Sequence, residues 1–322
     1  MKLTVKKIMT AGGRLCGAAA ISGAVSYSIA KKLMAMALDR GENLPTSQIP
    51  NNDEPALLAF AKLREKAAAE LANTPNETVE IAAWDGIRLV GHWLSVPNAK
   101  RVLVAMHGWR SSWSRDFGML ANFLKENGCS VLFAEQRGQG GSDGDYMGFG
   151  LAERFDCINW VDWVNEETGR DLPIYLCGVS MGASTVLMAS AFDLPNNVHG
   201  IIADCGYTSP QAIWRHVAQT NLHIPYDKWM SEIIDAICQD RINFRATDYS
   251  CTEALSESHV PVLFIHGTDD ALVPVEMTYE NYKACASPKR LLVVPGAGHG
   301  MSYVVDQALY EQTALQFWHD YD

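Results

Sequence analysis

Gly178-Val179-Ser180-Met181-Gly182 fits the pattern G-x-S-x-G, in which a serine on a sharp strand-to-helix turn exposes its hydroxyl as a nucleophile. The run Pro173–Cys177 before it reads as a strand and Ala183–Ala191 after it as a helix, which is the local context the motif needs. A serine hydroxyl attacks only when a neighbouring base takes its proton. Of nine histidines, His299 alone lies in a glycine-rich loop, PGAGHG, after the last strand-like run and after Ser180 in the chain. The acid that orients such a base is expected in FIHGTDDALVP, where Asp270, preceding the Ala-Leu-Val-Pro turn, is favoured over its neighbour Asp269. Asp204, at the end of an earlier apolar run, is a third candidate, and otherwise a structural carboxylate. The order Ser180, Asp270, His299 differs from the orders of chymotrypsin and subtilisin.

Such a set performs acyl transfer and needs two amides facing the developing oxyanion. Met181 opens the helix after Ser180 and supplies one. His107-Gly108-Trp109 follows the apolar run Val102–Met106, and Gly108 permits close backbone approach, so the Trp109 amide is the expected second donor. His107 reads as a structural loop histidine. Arg137-Gly-Gln-Gly-Gly-Ser142 lacks the G-x-G-x-x-G spacing and has no Walker lysine, so it reads as a tight turn rather than a phosphate cradle.

These loops must be held by a framework. Thr78–Trp84 and Arg88–Ser95 flank Asp85-Gly86, a hairpin signal. Short apolar runs follow at Val102–Met106, Val131–Glu135, Ile174–Cys177, Gly200–Asp204, Val262–His266 and Leu291–Val294. Helix-like stretches near 114–127, 151–167, 181–191, 275–286 and 301–319 separate them. Near-continuous apolar strands alternating with helices predict a buried, mostly parallel sheet with one antiparallel strand from the hairpin. In open sheets of this kind, chemistry sits at the carboxyl ends of the strands, where every motif above falls.

The chain has 322 residues, 48% hydrophobic and 20% charged, the balance of a folded globular protein and not of a disordered chain or a multi-span membrane protein. The net charge is −11, but residues 1–40 hold seven Lys/Arg against one Asp, leaving 19 bases and 36 acids in the rest. An acidic body repels phosphate backbones, so nucleic acid is not an expected partner. Eight cysteines without a C-x-x-C pair give no support to zinc or redox motifs and read as reduced and structural.

Residues 1–40 read as a basic, apolar N-terminal arm. Its uncharged core, 15–30, would span ~24 Å as a helix, short of the ~30 Å hydrocarbon core. Extension back to Ile8 gives sufficient length but includes Arg14. Residues 8–30 are therefore a candidate membrane anchor, with a cleaved signal and a soluble or surface-lying helical arm as the alternatives. Residues 41–77 are expected to form a linker and an amphipathic helix over 55–72, and 78–322 the body. Residues 211–258 interrupt the sheet and read as a short helical cap, whose Trp214, Tyr226 and Trp229 either line a substrate pocket with Trp113 or only glue the cap to the core.

The motifs HGW (107–109), EQRGQGGSDG (135–144), GVSMG (178–182), HGTDDALVP (266–274) and GAGHG (296–300) together resemble the α/β-hydrolase superfamily, from about residue 78 to the end. The arm, GDYMGFG, INWVDWV and ADCGYTS are similar to bacterial membrane-associated hydrolases of the serine aminopeptidase S33-like, Bem46/YqkD-like group. The resemblance implies an α/β-hydrolase fold and a Ser180-Asp270-His299 hydrolase. Glu135 stands where the family often has Asp, at a structural position. The expected activity is hydrolysis of esters with small-to-medium acyl groups through an acyl-serine, without metal or organic cofactor, on a small-molecule ester or amide. Amide, peptide and thioester cleavage use the same parts. A ligand-binding module on the same fold is the distant alternative. Membrane association through residues 8–30 is the expected localisation, with a cytoplasmic protein as the alternative.

Overall fold

Eight strands form at the expected places. They are β1 (Glu77–Ala82), β2 (Arg88–Leu94), β3 (Arg101–Met106), β4 (Cys129–Ala134), β5 (Ile174–Val179), β6 (Val198–Asp204), β7 (Val262–Gly267) and β8 (Lys289–Val294). The computed structural model describes residues 23–41 and 55–322. The strands make one sheet in the order β1-β2-β4-β3-β5-β6-β7-β8. β2 pairs antiparallel with both neighbours and every other pairing is parallel. The Asp85-Gly86 turn joins β1 to β2, with Gly86 at φ 87°.

The central strands are buried on both faces because their side chains alternate between two cores. Val102, Val104 and Met106 of β3 enter one core, with Trp160 and Val164 of helix α5 (Glu153–Thr168) and Val186 and Leu187 of α6 (Met181–Ala189). Leu103 and Ala105 enter the other, with Phe117 of α3 (Trp113–Phe117), Phe123 of α4 (Ala121–Glu126) and Phe317 and Trp318 of the last helix (Gln307–Tyr321). The result is an α/β hydrolase fold in three layers, a mostly parallel sheet between helices.

The segment expected as a cap divides. Helix α7 (Pro210–His216), a π-helical turn (Val217–Asn221) and α8 (Lys228–Ile242) cover the carboxyl end of the sheet. Ser209 and Asp227 cap α7 and α8 by accepting the Ala212 and Met230 amides. Helix α9 (Cys251–Glu257) instead belongs to the body, because Cys251 and Leu255 are buried in the same core as α6.

Helix α2 (Pro55–Ala72) forms where strong helix formers follow Pro55, and lies across α3. Residues 23–38 also form a helix, α1. Rather than standing off as an arm, it buries Ala30, Met34, Ala37 and Leu38 against the cap. The chain then makes an antiparallel bridge between Asp39 and Tyr146. Arg40 donates to the carbonyls of Gly140, Ser142 and Gly144. The loop after β4 thus offers carbonyls to an arginine, the reverse of a phosphate cradle, which offers amides. Its Arg137 is held by Asp156 (2.6 Å) and Asp85 (2.8 Å).

Of the anchor stretch 8–30, residues 8–22 lie outside the described residues. Among the described residues no helix is long and apolar enough to cross a membrane.

Candidate active site

The turn between β5 and α6 places Ser180 at φ 56°, ψ −116°. A non-glycine residue pays of order 1–3 kcal/mol for such a conformation. The turn persists because the backbone on either side is packed without room for side chains. A methyl group on Gly182 would run into the carbonyls of Met106 and His107, and one on Gly178 into that of Gly182. Gly182→Ala must push α6 off β3. The expected loss is at least the ~1–3 kcal/mol of an overpacked core, read as a lower urea midpoint at unchanged slope. A midpoint equal to that of the wild type would contradict this packing.

His299 comes to the turn from the loop after β8. Its Nε2 lies 2.9 Å from Ser180 Oγ and its Nδ1 2.6 Å from Asp270 Oδ2. The carboxylate is an acceptor, so Nδ1 carries the proton and Nε2 is left to accept one from the serine. Asp270 Oδ1 accepts the Leu272 and Val273 amides, each at 2.9 Å. A further residue, not singled out from sequence, completes the set. His266 Nε2 lies 3.1 Å from Asp270 Oδ2 and 2.9 Å from the Val273 carbonyl, while its Nδ1 meets the Thr278 hydroxyl at 2.6 Å. The only signal for it is the i, i+4 spacing of His266 and Asp270 across a turn.

These contacts decide the charges. Burial works to raise the Asp270 carboxyl, but His299, His266 and the Val273 amide outweigh it and hold it far below the usual carboxylate range. Burial works to lower His299, but the Asp270 carboxylate outweighs it and holds the imidazole well above its ordinary value. Asp269 is exposed and accepts from Thr268 Oγ1 (2.7 Å). Asp204 is fully enclosed, and burial, offset in part by His266 and His299, pushes its carboxyl up to about 6. Its main-chain carbonyl accepts the Ser180 amide at 2.8 Å, which helps set the turn.

The loop after β3 borders the other side of Ser180. Asp116 organises it: Oδ2 accepts the Gly108 amide (2.7 Å), and Oδ1 accepts from Ser111 (2.6 Å) and Arg64 (2.5 Å). With the Gly108 amide occupied, the next amide, on Trp109, has no protein acceptor among the described residues. Met181 is the first residue of α6, so its amide has no intrahelical acceptor either. His107 braces this loop. Its Nδ1 meets the Gly108 carbonyl at 2.8 Å and its Nε2 accepts the Gln136 amide at 3.2 Å.

A cavity of about 260 Å³ opens onto Ser180 and His299, bordered by Trp109, Met181, Trp214 and Tyr226. Two expected lining residues are elsewhere. Trp113 turns into the core below, stacked on His92 at 4.2 Å and tilted against Phe133. Trp229 is 56% exposed, on the side of α8 opposite the buried Met230, Ile234, Ile237 and Cys238.

Among the described residues, Cys205, Asp270 and His299 bring metal-ligating atoms within 4.8 Å of one another. The 2.6 Å between Asp270 and His299 is a hydrogen bond, too close for two zinc ligands each at ~2.0–2.2 Å from an ion. Burial pushes the Cys205 thiol up to about 11, so it is neutral near pH 7.

The family described as "Alpha/beta hydrolase family" matches residues 102–312. An uncharacterised protein, YqkD of Bacillus subtilis, is 26% identical over 233 residues, covering 72% of this chain and 75% of the relative. The lysophosphatidylserine lipase ABHD12 of Danio rerio is 24% identical over 247 residues, covering 71% of this chain and 60% of the relative. Among solved structures, an esterase of Pyrococcus furiosus, Pf2001, superposes with a TM-score of 0.63 at 21% identity, over 87% of this chain and 98% of the esterase.

Proposed function

The chain belongs to the alpha/beta hydrolase family, and from that premise we propose that it is a serine hydrolase cleaving carboxylic esters of apolar, small-to-medium acyl groups. The observation that carries this reading is the unbroken relay from Asp270 Oδ2 through His299 to Ser180 Oγ, at 2.6 and 2.9 Å.

His299 Nε2 takes the Ser180 proton as Oγ attacks the ester carbonyl. The negative charge moves onto the carbonyl oxygen, where the Met181 and Trp109 amides receive it. One such donor lowers the barrier by ~2.7–4 kcal/mol. The imidazolium, stabilised by Asp270, returns its proton to the leaving alkoxide, which departs as the alcohol. The acyl group stays on Ser180. Water enters, gives its proton to Nε2 and attacks the acyl carbon. The proton then passes to Ser180 Oγ as the carboxylic acid leaves. Most of the cavity border is apolar, with Arg64, Arg110 and Arg115 also lining it, and the apolar part favours an acyl chain. One relative, the lysophosphatidylserine lipase ABHD12, is named for ester chemistry of this kind.

A fluorophosphonate probe followed by peptide mapping tests the assignment. The expected result is a single adduct on Ser180, with saturable turnover of p-nitrophenyl esters. A protein that takes up no probe, or takes it up on another serine, would refute the proposal.

A further inference from the structure

Helix α1 reaches the site from the far end of the sequence. Leu33, Met34, Met36 and Ala37 border the cavity that opens onto Ser180. Met34 is 2% exposed, and its sulfur accepts from Cys238 of α8 at 3.7 Å. Ala30, Met34, Ala37 and Leu38 share one apolar cluster with Met181, the residue after the nucleophile, and with Trp214 and Ile234 of the cap. The helix therefore borders the same cavity as the nucleophile.

The carbonyl end of α1 also holds the loop that carries the Trp109 amide. The Trp109 indole donates to the Ala37 carbonyl at 2.8 Å. Arg110, at φ 48°, donates to the carbonyls of Met36 (3.0 Å) and Asp39 (3.1 Å). Asp39 in turn forms an ion pair with Arg241 of α8. The segment is pinned to the oxyanion side, to the cap and to the loop after β4 at once.

We propose that α1 is the acyl-chain wall of the active site, closing with Leu33, Met34 and Ala37 a slot for an unbranched medium-length alkyl chain of the octanoyl class. The inference rests on the serine-hydrolase reading and extends it to the substrate. About 260 Å³ lies just below the ~300–1,000 Å³ of drug-sized sites, which suits an octanoyl chain better than a palmitoyl chain. The borders contributed by α1 are aliphatic or thioether groups, which recognise a saturated chain by burial alone. Methionine adapts its shape to such a chain.

The test compares labelling rates of the full-length protein by fluorophosphonates bearing butyl, octyl and dodecyl chains. It needs only the nucleophile, not turnover. The wild type is expected to react at least tenfold faster with octyl than with butyl. Ala37→Leu narrows the slot and should bring that ratio to within twofold. Met34→Ala lengthens it and should raise the dodecyl-to-octyl ratio at least fivefold. Leu33→Trp narrows the same slot and replaces Ala37→Leu if that variant fails to fold by circular dichroism. Folded variants labelled on Ser180 with ratios like those of the wild type would overturn the wall while leaving the serine hydrolase standing. A wild type that takes no probe on Ser180 would overturn both.

Discussion

Ser180→Ala is expected to lower kcat by roughly 10⁶-fold for any ester the wild type turns over, in line with removal of the serine from other triads. The loss is large because the variant has no covalent route, while His299 and Asp270 without an attacking hydroxyl contribute little. A residue of ~10³–10⁴-fold over water should survive, from the oxyanion amides and substrate binding. The fold should not change. Ser180 donates its amide to the Asp204 carbonyl, a bond alanine keeps, and alanine meets the same backbone cost at φ 56°. Steady-state kinetics on the fastest p-nitrophenyl ester, with unfolding midpoints of both proteins, check this. Activity within tenfold of the wild type would remove Ser180 from the mechanism.

Asp270→Asn should lower kcat by about 10⁴-fold, the size found where an orienting aspartate of a triad loses its charge. The amide is nearly the same size but cannot accept at every contact. Asp270 accepts from the Leu272 and Val273 amides and lies against both His266 and His299. Keeping the amide oxygen on the two main-chain donors points the amide nitrogen at His299 Nδ1. Nδ1 must then accept, the proton moves to Nε2, and Nε2 no longer serves as base.

The pH profile should separate this from a loss of packing. In the wild type the Asp270 carboxylate holds His299 well above its ordinary value against the pull of burial. The catalytic form is the neutral imidazole, so kcat/KM should rise with pH along a limb above the ordinary ~6.5. In Asp270→Asn the largest raising contribution is gone and burial remains, so the limb should move to lower pH. Rate profiles across pH 4–10 would show it (a range of assay conditions chosen to bracket the ordinary imidazole value). An unmoved limb would mean that another group governs it.

Much of this was legible because the signals are local. The central strands are runs of apolar residues buried on both faces, and Ser180 and His299 lie in loops directly after β5 and β8. Asp270 could be favoured over Asp269 because a turn follows it, and the structure shows the reason: the turn's own amides bind the carboxylate. What was missed depends on direction or distance. Trp113 lies near the loop after β3 in sequence, but in α3 it shares the buried face with Phe117 and points into the core. The expectation for Trp229 rests on composition alone. The buried spacing of Met230, Ile234, Ile237 and Cys238 would have put it outside. Asp116 and Arg64 meet across 52 positions, and α1 meets the cap across more than 200. No local pattern encodes such contacts.

The wall formed by α1 also sets a problem of timing for the ribosome. Met34 finds its partner Cys238 only 204 residues later in the chain. At ~5–20 residues per second, the greasy stripe of Ala30, Met34 and Leu38 emerges roughly ten to forty seconds before its berth has been synthesised. For that interval the nascent chain carries an unshielded sticky helix.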